Sequence, residues 1–262
     1  MFQHTWHGIE LASLPAAAAR HAPASAEFYA QFYAALESGR GRIEPGWLEG
    51  KRQLGEVIGR EILGLGRPLR GAPPRVLALA AGKAFAERVW LECGADVTFH
   101  DCQEASLADL RRRHPPARCL IGEIQRITPE TNYDFITLLT VDYVMKRREL
   151  AEFLRRISGW LAAGGQIVLY CANVLSLRQM LAEAVKMCLG RRRDPHAVFW
   201  GYWRTPGEFF RVARKAGLRL TQVLYFAGER GGGRRLRPAS RWVRRWPPLR
   251  DSNLVATFTP AH

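Results

Sequence analysis

The chain has 262 residues, 47% of them apolar and 10% aromatic, and its 39 Lys and Arg against 24 Asp and Glu leave a net charge of +15. Such a composition is globular and excludes a disordered or fibrous chain, and the length supports one full core with an appended element. No run approaches the roughly 18 uninterrupted apolar residues of a membrane span, and the start MFQHTWHGIE lacks the basic-then-apolar pattern of a secretory leader. Five cysteines (Cys93, Cys102, Cys119, Cys171, Cys188) stand at wide, irregular spacing with no CxxC pair, which argues for a reducing cytoplasm and against a zinc site.

Residues 1–66 read as a helical cap: an Ala-rich opening, then AEFYAQFYAALESG, then WLEGKRQLGEVIGREILGLG, which stops at glycine as helices tend to. After the turn-forming GAPP, short apolar runs alternate with helical patterns, the mark of βαβ units. The expected strands are 75–80, 96–100, 118–121, 134–140 and 166–171, with Leu161-Ala162-Ala163-Gly164-Gly165 as a tight turn before the last. Two more, 218–226 and 254–259, are joined without a helical pattern and read as an antiparallel pair at one edge. The expectation is a seven-stranded, doubly wound, Rossmann-like α/β domain over 67–262.

In an open α/β sheet, ligands bind outside the carboxyl ends of the strands, where strand order reverses. The first strand ends in Ala80-Ala81-Gly82-Lys83-Ala84, whose small residues let a ligand approach the backbone and the next helix N-terminus. His100-Asp101-Cys102 ends the second; a carboxylate about 20 residues past the first turn suits a ribose diol, or caps the next helix. Gly122-Glu123-Ile124 after the third offers a carboxylate and an apolar neighbour to flank an adenine ring, although a Glu there also fits plain surface. Thr140-Val141-Asp142-Tyr143 follows the fourth and faces the reacting centre, or else caps and packs the next helix.

Together these segments resemble the class I S-adenosylmethionine-dependent methyltransferases over roughly residues 70–226, with the final edge pair similar to that family's closing hairpin. VLALAAGKA resembles the family's VLELGxGxG, VTFHD its second-strand acid, IGEI its adenine-side dipeptide, YDFITLLTVDYV its fourth strand and LAAGGQIVLY its LxPGGxLxL. WLECGADVTFHD with VDYV is also similar to a subgroup of bacterial enzymes that modify surface sugars. The resemblance implies S-adenosylmethionine as cofactor, held by Ala80, Ala81, Gly82, Asp101, Cys102, Glu123, Ile124 and Thr140. Three positions depart from the pattern: Ala78 replaces the first-strand acid, a partner for the methionine amino group, and Ala80 and Ala84 replace glycines, with methyl groups that narrow the turn.

Methyl transfer is an in-line displacement at carbon in which positioning and charge complementarity carry much of the rate. The expected acceptor is a small molecule or glycan methylated at oxygen, with Asp142, Tyr143 and His196 as catalytic candidates. The segment around His196 also carries Phe199, Trp200, Tyr202 and Trp203 beside Arg204, either a stacking platform or an aromatic clamp. Eight arginines fall in the acid-free stretch 230–250 of the loop 228–250, which also holds Trp242 and Trp246, and Arg191 to Arg193 follow the helical pattern 175–190. A solvated basic face, an anionic membrane surface on the cytoplasmic side or a phosphate-bearing partner each satisfies those charges. Two alternatives stand beside the small-molecule enzyme: a nucleic-acid methyltransferase, which VDYV in place of [DNS]PP[YFW] disfavours, and a non-catalytic binding or assembly subunit, motivated by the three alanines.

Overall fold

The computed structural model describes residues 2–3, 5–15, 25–66, 71–129, 131–139, 144–172, 181, 184–185, 198–199, 202, 204–226 and 253–261. Within the expected helical cap, the described residues of 2–10 are not helical, and the Ala-rich run 16–20 lies outside the described residues. The former make the short strands β1 (Phe2–Gln3), β2 (Thr5–Trp6) and β3 (Ile9–Glu10). β2 and β3 pair antiparallel around His7 (φ 50°) and Gly8 (φ 79°), a two-residue turn whose left-handed backbone matches the strand twist. Helix α1 (Ala26–Glu37) starts at Ser25, whose hydroxyl accepts from the Phe28 N–H at 3.2 Å, and α2 (Pro45–Glu61) starts on a proline at its first position.

The alternating segment then runs β4 (Arg75–Leu79), α3 (Arg88–Glu92), β5 (Asp96–Asp101), α4 (Glu104–Arg113), β6 (Arg118–Ile121), β7 (Tyr133–Leu138), α5 (Arg147–Ser158) and β8 (Leu161–Ala172). After β9 (Val198–Phe199), which pairs with β1, come α6 (Pro206–Lys215), β10 (Leu218–Phe226) and β11 (Asn253–Pro260). One sheet of seven strands has the order β10-β11-β8-β7-β4-β5-β6. Its first five strands in chain order are mutually parallel, and β11 is antiparallel to both β8 and β10. This is the expected seven-stranded Rossmann-like sheet with its antiparallel hairpin at one edge, in which β10 is outermost and β11 lies between β10 and β8.

β4 lies at the point of reversal and is buried on both faces, which is why RVLAL is a continuous apolar run rather than an alternating one. Leu77 and Leu79 join the core under α5 and α6 with Leu138, Leu154, Ile167 and Phe209. Val76 and Ala78 point the other way, into the core formed with α2, α3 and α4 by Leu54, Ile58, Trp90 and Phe99. A third, small core joins the β2–β3 hairpin to α1 through Ile9, Leu11, Phe28 and Phe32. The LAAGG segment is not a turn before β8 but an irregularity within it. Register jumps from Tyr133↔Leu161 to Phe135↔Gln166, and Gly164 (φ 77°) takes the left-handed backbone the bulge requires.

Contact between α2 and α3 needs a bare backbone. Trp90 Nε1 donates to the Gly55 carbonyl at 2.7 Å, and a Cβ on Gly55 would lie 2.1 Å from the Ala86 carbonyl oxygen. Gly55→Ala therefore forces the two helices apart and lowers unfolding free energy by about 2–3 kcal/mol in chemical denaturation. Gly46→Ala in the first turn of α2, with open space around it, does not lower it.

Candidate functional site

The turn after β4 keeps the backbone of a glycine-rich loop without most of the glycines. Ala80 (φ 49°), Gly82 (φ 57°) and Ala84 (φ 52°) are all left-handed, and Ala84 is fully buried. The methyl groups expected to narrow the turn are accommodated at the cost of strain, on the order of 1 kcal/mol for each alanine. Hydrogen bonds hold the shape: the Ala81 N–H donates to the His100 carbonyl at 2.9 Å, and Ala84 N–H to the Ala81 carbonyl at 2.8 Å. Gly82 cannot be exchanged as easily, since a Cβ there would sit 2.7 Å from the Tyr33 hydroxyl.

Two neighbouring side chains at the end of β5 bind three turns together. Asp101 Oδ2 accepts from the Gly82 N–H at 2.8 Å and its Oδ1 from the Gln103 N–H at 3.0 Å. The carboxylate thus joins the β4 turn to the start of α4 and still has lone pairs for further donors. His100, 1% exposed, accepts at Nδ1 from the Ala80 N–H at 3.4 Å, which leaves Nε2 to donate to the Gly122 carbonyl at 2.9 Å. Burial holds its pKa below the ordinary histidine value, against the opposing pull of Gly122 and Asp101.

Above these turns opens a cavity of about 790 Å³. Its floor includes Ala80, Ala81, Gly82, Asp101, Cys102, Glu123 and Ile124. The roof is aromatic: Trp6 stacks on Phe32 at 4.2 Å between centroids, His7 meets Trp47 edge-on at 4.7 Å, and Trp47 meets Phe85 at 5.6 Å. Helix α1 is pinned across the mouth at both ends, by Gln103 Nε2 donating to the Ala26 carbonyl at 3.0 Å and by a 3.0 Å ion pair between Lys83 and Glu37. Deeper in the wall lie two buried ionisable groups, Lys51 and Glu87. Burial pushes the Glu87 carboxyl up to about 7, opposed by its own N–H, by the Lys51 charge and by the Ala86 N–H. Partial burial and the Asp101 charge push the Cys102 thiol up to about 11, so it is no nucleophile at neutral pH.

The structure thus gathers seven of the eight residues expected at the cofactor into one cavity; the eighth, Thr140, lies outside the described residues, as do Asp142, Tyr143 and His196. Leu139, Val144 and Met145, which flank the segment 140–143, line the cavity. Glu123 stands at its rim in a 3.0 Å ion pair with Arg126. Arg204 is no part of an open stacking platform: it is buried and its guanidinium donates to the Met145 carbonyl, bracing the segment after β7. Tyr202 is half-buried, while the side chains of Phe199, Trp200 and Trp203, the loop 228–250 and nearly all of 173–197 fall outside the described residues. Sequence reasoning missed the aromatic roof, whose one local signal was the His7-Gly8 turn between apolar neighbours. It also missed Lys51 and Glu87, which have no local signal because their burial comes from packing. Among the described residues no helix is long and apolar enough to cross a membrane.

No protein-family model and no curated protein matches the chain. Solved structures do. A TehB-like SAM-dependent methyltransferase from Corynebacterium glutamicum is 18% identical with a TM-score of 0.52, over 89% of this chain and 97% of that one. The magnesium protoporphyrin IX methyltransferase of Synechocystis PCC 6803, solved with bound SAH, is 10% identical with a TM-score of 0.55, over 88% and 94%. The mitomycin 7-O-methyltransferase MmcR is 14% identical with a TM-score of 0.58; the match spans 90% of this chain and 58% of MmcR. At these identities the likeness is one of fold, and that fold is the class I methyltransferase fold.

Two outcomes follow from the strain and the buried acid. Ala80→Gly removes a left-handed alanine and raises unfolding free energy by about 1 kcal/mol in chemical denaturation, whereas Ala84→Gly gains little because it also removes a buried methyl worth about 0.8 kcal/mol. Glu87 holds its proton more tightly folded than unfolded, so stability falls as pH rises from 4.5 to about 7 and the penalty is complete above that window. Relative to Glu87→Gln, the wild type loses about 3 kcal/mol between pH 4 and pH 8, measured by denaturation at both pH values.

Proposed function

We propose that the protein transfers a methyl group from S-adenosylmethionine to a small acceptor, at oxygen. The observation that carries this reading is the convergence of the β4 turn, Asp101 and the Glu123-Ile124 pair on one cavity roofed by aromatic rings. The residues present fit the cofactor. Left-handed backbone at 80, 82 and 84 leaves a small-residue cradle, Asp101 offers free lone pairs to a ribose diol, and Ile124 offers an apolar shelf for adenine. When bound, the cofactor supplies an electrophilic methyl on a sulfonium that is itself a good leaving group.

The chain's own work is then positioning. Trp6, His7, Phe32 and Trp47 favour a flat or apolar acceptor and keep water from the reacting centre. Asp142, after the fourth parallel strand, takes the acceptor's proton, with Tyr143 beside the acceptor and His196 as the alternative base. A cavity of about 790 Å³ falls within the roughly 300–1,000 Å³ of small-molecule sites, which favours a compact acceptor or a single sugar unit over a polymer.

Calorimetric titration with S-adenosylhomocysteine tests the reading. Wild type binds with micromolar affinity, and Asp101→Ala weakens it about 10- to 100-fold, the loss of hydrogen bonds to a charged acceptor. A wild-type protein that binds neither S-adenosylmethionine nor S-adenosylhomocysteine would return the fold to a non-catalytic binding role.

A further inference from the structure

At position 78, where the resembling family carries an acid, this chain has Ala78, 1% exposed and packed in the same core as Leu54, Ile58 and Trp90. Two ionisable side chains reach the cavity from that same layer. Lys51, 7% exposed, comes from α2, and its ammonium lies 5.3 Å from the ring centroids of both Trp47 and Tyr170. Glu87, 5% exposed, immediately precedes α3. One turn of α2 beyond Lys51, Gly55 rests against Ala86, so close helix contact sets both groups beside the β4 turn. The Lys51 charge acts on Glu87 directly, opposing the effect of its burial.

Buried opposite charges are costly to desolvate, and apolar side chains of similar volume are often at least as stable in their place. A pair of this kind in a cavity wall therefore points to a ligand that carries the complementary charges. We propose that Glu87 and Lys51 form the subsite for the zwitterionic amino-acid end of the cofactor, Glu87 accepting from its ammonium and Lys51 donating to its carboxylate. The acid missing from β4 is thereby supplied from the start of α3. Both rings beneath Lys51 hold its ammonium toward the carboxylate by cation–π attraction rather than leaving it to water. This inference rests on the cofactor reading above.

The test compares two probes by calorimetry: S-adenosylhomocysteine, which has the amino-acid end, and 5′-methylthioadenosine, which lacks it. Wild type prefers the first. Glu87→Gln and Lys51→Met each weaken S-adenosylhomocysteine about 10- to 100-fold while 5′-methylthioadenosine affinity stays within about twofold. That retained affinity also certifies the fold of each variant, and Lys51→Met carries the test if Glu87→Gln does not fold. Variants that bind S-adenosylhomocysteine as wild type does, or a wild type that binds both probes equally, overturn the subsite and leave the cofactor reading standing. A wild type that binds neither overturns both.

Discussion

Parallel strands leave the backbone groups of their C-terminal turns without ladder partners, and those groups must find others or pay for burial. In this protein the two residues that end β5 supply them. Asp101 takes N–H groups from Gly82 and Gln103, and His100 takes one from Ala80 while donating to Gly122. Three loops that are far apart in sequence thus share one polar bridge, itself nearly inaccessible to water. The cavity exists because this bridge sets the heights of its floor segments relative to one another. Loss of either side chain would free two backbone groups at once, which makes the pair a structural element before it is a binding one.

The β4 turn shows that a glycine-rich loop is a backbone shape first and a composition second. Alanine in the left-handed region is strained but not forbidden, and here neighbouring hydrogen bonds over-determine the conformation twice. The position that admits no substitution without displacing its neighbour is Gly82, and the obstacle is a hydroxyl of α1 rather than the turn itself. Helix α1 therefore does more than cover the mouth. Its Tyr33, Glu37 and the Ala26 carbonyl each touch a different part of the floor, so the roof is registered against the loops it encloses.

Much of this was legible in the sequence, for reasons that particular residues make plain. The alternation of RVLALA, DVTFH and YDFITLLT with helical stretches identifies a parallel sheet, and the rule that ligands bind at strand ends then leads to Asp101, Gly82 and Ile124. Errors arose where local pattern and tertiary use differ. The opening reads as part of a helical cap, yet Trp6-His7-Gly8-Ile9 is a hairpin, because the left-handed His7-Gly8 dipeptide turns the chain back on itself. LAAGG has the look of a turn and is a bulge within β8. Arg204 stands among aromatics that read equally as platform or clamp, and its burial against Met145 is set by packing that no local pattern displays. Lys51 sits beside the exposed Arg52 and Glu87 beside Arg88; nothing in either stretch distinguishes a buried charge from a solvated one.

The placement of β11 has a bearing on how the molecule is made. Later in the chain than β10, it nevertheless lies between β10 and β8, with long antiparallel ladders to both. While the chain is still emerging from the ribosome, β8 therefore presents an open flank of unpaired N–H and C=O groups, and β10 has no strand to join. Exposed flanks of this sort are templates for pairing with other molecules. A cell producing this protein carries that hazard through the synthesis of the entire stretch 230–250, until the last strand slots into place.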